Sequence, residues 1–212
     1  MRIASFDIGK CNFCFCIEEI DDKILTEKPF VGKRYNVNGT STTEFEKYLE
    51  DIIYDNGKLL HFINSDLTTN VPASYKLKKV HVNIYKDMNT LLLDNLELLN
   101  TCQYILIEQQ MSFGAKINLM AIKLAQNCYS VLLMKLNPNI KIIEYPAYHK
   151  TQVLGAIKKM DKPKRKKWAV TKSIEILLQR IDAPNLNILT YSSKKDDLAD
   201  VLVQVQSFKV LL

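Results

Sequence analysis

The chain has 212 residues, 47% of them hydrophobic and 25% charged, with a formal net charge of +6 at pH 7. That composition excludes wholesale disorder, the length predicts a single domain over 1–212, and no apolar run is long enough to cross a bilayer. Without a basic-then-apolar leader, and with an odd number of cysteines (five), the expectation is a soluble, intracellular protein with reduced thiols.

The first element is a strand. Arg2-Ile3-Ala4-Ser5-Phe6-Asp7 is a short apolar run closed by a carboxylate, with Gly9 two positions beyond, the pattern of a buried central strand ending in a turn. Asp7 then stands at the strand's C-terminal end, where ligands bind in open α/β sheets. An aspartate at that place also serves as a plain turn former. Asn12 to Ile20 has strand composition and pairs with the first strand as a hairpin. Cys11, Cys14 and Cys16 lack a second cysteine or histidine cluster to complete a tetrahedral site, so they read as small buried hydrophobes.

Residues 24–80 form the least regular stretch. A helix is expected over Thr43 to Tyr54, opened by a capping-box pattern, and a further strand is expected in the same region. The leucines of Asn83 to Asn100 recur at helical spacing with Asp87, Asp94 and Glu97 opposite. Gln103 to Glu108 then repeats the grammar of the first strand, four apolar residues ending in a carboxylate. Ala115 to Leu136 predicts a long buried helix stopped by Pro138. It is apolar more than halfway round, which suits a dimer face or a thick single core equally. Ile140 to Tyr145 is a strand that leaves through Pro146. An amphipathic helix follows over Lys164 to Ile181, with Trp168, Ile174, Leu177, Leu178 and Ile181 on its apolar side, and Lys194 to Leu212 is a final helix. The order predicts a mixed α/β sheet covered by helices.

The positive charge is local. Nine lysines and arginines against one acid fall between His149 and Lys172, so that segment carries +8 and the rest of the chain −2. Lys150, Lys158, Lys159, Lys162, Lys164, Arg165 and Lys166 are the candidate DNA contacts, and a surface of this kind meets phosphates rather than base edges.

The acids are arranged differently. Asp197 and Asp200, three apart at the start of the final helix, share one face, where two like charges repel unless a cation separates them. Acids in a first helical turn also suit the macrodipole. Asp7, Glu108, Asp197 and Asp200 together supply what a two-metal hydrolase needs, four hard oxygen ligands for Mg²⁺ or Mn²⁺ ions held about 3.5–4 Å apart across a phosphodiester.

Asp7-x-Gly9, Leu106-Ile107-Glu108-Gln109-Gln110-Met111 and Asp197-Leu198-Ala199-Asp200 resemble, in order and spacing, the RuvC-like Holliday junction resolvases of the ribonuclease H-like superfamily, with the poxvirus branch the nearest likeness. The resemblance implies a ribonuclease H-like mixed five-stranded sheet flanked by helices. It implies a homodimeric viral endodeoxyribonuclease that binds branched DNA, above all four-way junctions, in recombination or repair, and works in the cytoplasm away from membranes. Asp7, Glu108, Asp197 and Asp200 match the family's metal-binding acids. Lys150 to Gly155 looks like its lysine-bearing loop, and Lys167 its second catalytic lysine, with Lys166 as competitor and Asp196 competing with Asp197. A ribonuclease H-type or flap-type nuclease, or a non-catalytic nucleic-acid-binding module, are the alternative readings.

Overall fold

The computed structural model describes residues 1–72, 80–110 and 117–212. Part of the irregular 24–80 stretch, Met111 and the first two residues of the predicted Ala115 to Leu136 helix lie outside them. β1 (Arg2–Asp7) and β2 (Phe13–Glu19) form the expected antiparallel hairpin, Asp7 opposite Cys14 and Ile3 opposite Glu18. The turn between them needs its glycine, because a Cβ on Gly9 would stand 2.8 Å from the Asn12 carbonyl oxygen. β3 (Lys58–Ser65) pairs antiparallel with β2. β4 (Tyr104–Glu108) lies parallel to β1 on its other side, and β5 (Lys141–Tyr145) parallel to β4, giving the order β3-β2-β1-β4-β5.

Strand alternation divides the core. Ala4, Phe6, Ile105 and Ile107 face α3 (Val82–Asp94) and α5 (Leu119–Lys135), meeting Ile84, Met88, Leu92, Leu124, Cys128 and Leu132. The rings of Phe6 and Phe15 stack there at 4.9 Å. Ile3, Leu106 and Tyr145 face the other way, toward α7 (Lys162–Gln179), α8 (Ala183–Tyr191) and α9 (Lys195–Lys209). By the same period, Asp7 and Glu108 belong to this second face. α9 lies across it and is buried at every residue from Val201 to Lys209.

Several elements differ from expectation for local reasons. α1 (Asp22–Glu27) forms where Asp21-Asp22-Lys23 reads as a strand end, because the Asp21 carboxylate accepts from the Lys23 amide at 3.0 Å and caps a helix. α2 (Thr43–Tyr48) is capped by Thr42 and runs on as a π-helical turn over Leu49–Tyr54. The helix expected over Asn83 to Asn100 breaks at Asn95, whose side-chain amide donates to the Leu91 carbonyl at 2.8 Å, and restarts as α4 (Leu96–Leu99). α8 arises after Asp182, whose carboxylate caps it by accepting from the Asn185 amide. In α7 the inward residues are Ala169, Ser173, Ile176 and Leu177, while Leu178, expected on the apolar side, is exposed, as is Ile181, which lies beyond the helix end at Gln179. Cys14, Cys16, Cys102 and Cys128 are buried free thiols, and Cys11 is exposed. Among the described residues no helix is long and apolar enough to cross a membrane.

A buried ion cluster fastens the far end of α9. Glu18, fully buried, accepts from both terminal nitrogens of Arg180 (3.2 and 3.1 Å) and from the Lys209 ammonium (2.9 Å), and the Gln206 amide also donates to it at 2.8 Å.

Candidate active site

The site is assembled from two strand ends and one helix start. Phe6 is in register with Ile107 on the parallel neighbour, so the next residues, Asp7 and Glu108, stand side by side where β1 and β4 leave the sheet. α9 crosses above with Asp197 and Asp200 in its first turns. Its depth is fixed by packing along its length. The Cys16 thiol donates to the Val201 carbonyl at 3.5 Å, the Ser173 hydroxyl to the Ala199 carbonyl at 3.4 Å, and the Tyr145 and Ser207 hydroxyls are hydrogen-bonded at 2.8 Å.

A lysine enters this group from β5. The chain leaves Tyr145 through Pro146 into the short helix α6 (His149–Gln152), which turns Lys150 inward. Its side chain is 4% exposed, and its ammonium lies 3.1 Å from Glu108 and 3.2 Å from Asp200. Two acids thus share one buried cation, and Asp7 adds its charge beside them. Burial, then the charges of Glu108 and Asp200, raise Asp7 well above the usual carboxylate range, with Lys150 opposing. Burial acts to raise Glu108 too, but the Lys150 ammonium and a hydrogen bond with Asp7 outweigh it and hold Glu108 low. Asp200 is raised by burial against the pull of Lys150. Burial depresses Lys150, yet Glu108, Asp200 and Asp7 more than reverse that, so the ammonium stays charged. Cys14, opposite Asp7, feels the same field: burial and then Asp7, Asp197 and Asp200 push its thiol up.

A second lysine reaches the α9 acids from α7. Lys166 makes a close ion pair with Asp196 and stands 3.8 Å from Asp197. Burial and the Asp196 charge raise Asp197, whereas Lys166 outweighs burial at Asp196 and lowers it.

Of the expected acids, Glu108 and Asp200 meet at Lys150 with Asp7 close enough to feel their charge, while Asp197 stands by Lys166, within reach of the Asp200 charge. Two lysine assignments need correction. Lys150 is not a solvated DNA contact, because it is enclosed by Glu108 and Asp200. Lys167 is not the lysine beside the aspartates: one residue is about 100° of helical turn, so Lys166 faces α9 and Lys167 is exposed. Lys158, Lys159, Lys162, Lys164 and Arg165 lie on the exposed surface, with Arg165 near enough for its charge to help lower Glu108. Asp196, weighed only as a rival ligand, is the partner of Lys166. Among the described residues no three acidic, histidine or cysteine side chains are grouped so as to hold a metal ion, and the Lys150 ammonium bridges Glu108 and Asp200.

Comparison with known proteins bears on the fold. No protein-family model matches the chain. The uncharacterized protein 170L of Invertebrate iridescent virus 6 is 30% identical over 236 aligned residues, covering 99% of this chain and 89% of that protein. The uncharacterized protein 97L of Invertebrate iridescent virus 3 is 29% identical, covering 98% of each. Among solved structures, Fowlpox virus resolvase, crystallised with substrate Holliday junction DNA, superposes with a TM-score of 0.55 at 20% identity, covering 99% of this chain and 97% of that one. Thermus thermophilus RuvC superposes with a TM-score of 0.54 at 11% identity, covering 96% and 92%. The shared architecture is the RuvC-like form of the ribonuclease H-like fold.

Proposed function

We propose that this chain, which belongs to the family of the Invertebrate iridescent virus 6 protein 170L and has the RuvC-like fold, is a metal-dependent endodeoxyribonuclease that cleaves four-way DNA junctions. The observation that carries the reading is the surplus of buried carboxylates around Lys150, on a fold shared with a resolvase crystallised on a Holliday junction.

The donor set fits Mg²⁺ or Mn²⁺. Four carboxylates are hard oxygen ligands, and Asp7 and Asp200, raised first by burial and then by neighbouring carboxylates against the pull of Lys150, are groups whose ionised form a bound cation would favour. Asp7, Glu108, Asp197 and Asp200 would hold two ions per site. Such ions, when bound, polarise a phosphodiester and make an attacking water more acidic. The chain's residues do the rest. Asp7 gives the site a fixed floor, because the central strand is hydrogen-bonded on both sides. Lys150 ties the Glu108 and Asp200 carboxylates to one point and limits their repulsion. Lys166, held by Asp196, offers an ammonium to a non-bridging phosphate oxygen where charge grows in the transition state.

The exposed cations Lys158, Lys159, Lys162, Lys164, Arg165 and Lys167 surround that centre and suit phosphate contacts on branched DNA. Cutting two strands symmetrically calls for a twofold assembly, so the enzyme acts as a homodimer, each subunit a single domain over 1–212, in the cytoplasm. α5 spends most of its apolar stripe on its own core but leaves Leu133 and Met134 exposed for such a contact.

The test is cleavage of a four-way junction, an RNA–DNA hybrid and a flapped duplex, each with and without Mg²⁺. Symmetric nicking of the junction alone, dependent on metal, is the expected result. Absence of any metal-dependent cleavage overturns the enzyme reading, and preference for hybrid or flap overturns the substrate.

A further inference from the structure

α6 has two sides. Lys150 turns toward Glu108 and Asp200, while His149 and Gln152, three apart on the same short helix, line a separate cavity of 260 Å³ with Tyr35, Tyr148 and Lys158. The far wall comes from the connection between β2 and β3. Tyr35 donates its hydroxyl to the Val153 carbonyl at 2.8 Å, and the Lys158 amide donates to the Asn38 carbonyl at 2.9 Å. Gly155, at φ +79°, lets this segment close, since a Cβ there would stand 1.9 Å from the Ser41 hydroxyl oxygen. The cavity is thus built by two distant stretches locked together, one of which continues directly from the lysine of the site.

Its lining is mixed in a specific way. The His149 ring is wedged edge-on between Tyr145 (5.5 Å) and Tyr148 (4.4 Å), and its buried Nδ1 has no hydrogen-bond partner. Burial also holds the imidazole below its usual value, so near neutral pH it offers one donor and one acceptor. Tyr148 is 52% exposed and leaves surface free. The volume is below the ~300–1,000 Å³ of pockets that enclose drug-sized ligands, which restricts the occupant to about one flat ring.

We propose that this cavity receives a single unpaired nucleobase of the bound DNA close to the scissile phosphate, stacked on Tyr148, read at its edge by His149 and Gln152, with Lys158 against its phosphate. The identity of the polyanion rests on the function proposed above. A nucleobase fits the lining because its faces stack on aromatic rings and its edge alternates donors and acceptors. A four-way junction supplies bases at its branch point that unstack at lower cost than those inside a duplex. The pocket thereby makes cleavage depend on base identity, which a surface of lysines alone does not.

The experiment is photo-crosslinking of the full chain to DNA carrying 5-iodouracil, either at the branch point of a four-way junction or in a single-stranded oligonucleotide, with the crosslinked residue mapped by mass spectrometry. The expected adducts fall on Tyr148 or His149. Tyr148→Ala is expected to lower the yield roughly tenfold, since stacking on an aromatic side chain contributes about 1–3 kcal/mol per base, while Tyr148→Phe retains it. Adducts confined to other residues, or a yield and cleavage-sequence preference unchanged in both Tyr148→Ala and Gln152→Ala, overturn the inference. If the junction is not cleaved but the single strand still crosslinks at Tyr148, the proposed function fails and the nucleobase site stands. If the junction is cleaved without such adducts, the reverse holds, and absence of both DNA binding and crosslinking overturns both.

Discussion

Two groups of buried charge are strung along α9, and they are balanced in opposite ways. At its C-terminal end Glu18 is matched by Arg180 and Lys209, and the cluster is saturated with hydrogen bonds, including one from Lys209 to the Asn56 carbonyl at 2.7 Å. Burial would raise Glu18, but Arg180 and Lys209 outweigh it and keep the carboxylate below its usual range. The surplus there is positive, and burial pushes Lys209 down to about 8 although Glu18 resists. At the N-terminal end Glu108 and Asp200 share Lys150 with Asp7 beside them, and the surplus is negative. The first cluster closes on itself with groups the chain supplies. The second is left short of positive charge, an arrangement that costs stability and is intelligible where a cation arrives from outside.

Breaking each cluster separates the two roles. The largest effect is expected from Asp7→Asn, which should lower junction cleavage by about 10²–10³-fold or more while raising the melting temperature, because a repelling carboxylate is removed. Gel-shift binding of the junction should persist. Glu18→Gln should do the reverse, costing about 3–5 kcal/mol in urea unfolding by leaving two buried cations unpaired, with cleavage per folded molecule retained. Its pH dependence has a definite sign. Glu18 lies below its ordinary 4.5 in the folded chain, so its contribution is present above that value and is lost as pH falls through the lower folded value. The Glu18→Gln variant should lack that acid-sensitive component in a stability-against-pH series.

Lys150→Met should destabilise by about 2 kcal/mol in chelator, since Glu108 and Asp200 lose their counter-charge, and the melting temperature should recover toward the parent's on adding Mg²⁺. Recovery is what distinguishes the unbalanced cluster from the balanced one. Lys166→Ala should slow cleavage about tenfold and Lys167→Ala less than about twofold, in single-turnover assays with saturating enzyme. The smallest change is expected from Lys162→Ala, which should leave the cleavage rate intact and reduce the salt slope of junction binding by about 1.

The placement of the acids at the strand ends and helix start was legible because each carrier is a local pattern. An apolar run closed by Asp7, another closed by Glu108, and Asp197 with Asp200 three apart need no knowledge of distant partners. The lysines were not legible for the opposite reason. Lys150 and its exposed neighbours carry the same charge, and only the exit of β5 through Pro146 decides that one is enclosed. Lys166 and Lys167 are told apart by the phase of α7, which Ala169 and Ser173 set by packing although neither is strongly hydrophobic, while Leu178 and Ile181 drew the apparent apolar face the wrong way. The Glu18 cluster joins residues 162 and 191 positions apart, a pairing that no local spacing signals.

The seating of α9 on β1 and β2 has a kinetic consequence. Cys16 and Val201 meet across 185 residues, so the hairpin that carries Asp7 forms early from neighbours while its cover arrives only after most of the chain has been made. A nascent chain therefore holds its acids apart until α9 docks, and nuclease competence and global folding become a single late event. Cleavage activity during refolding should appear with the slowest folding phase and never before it.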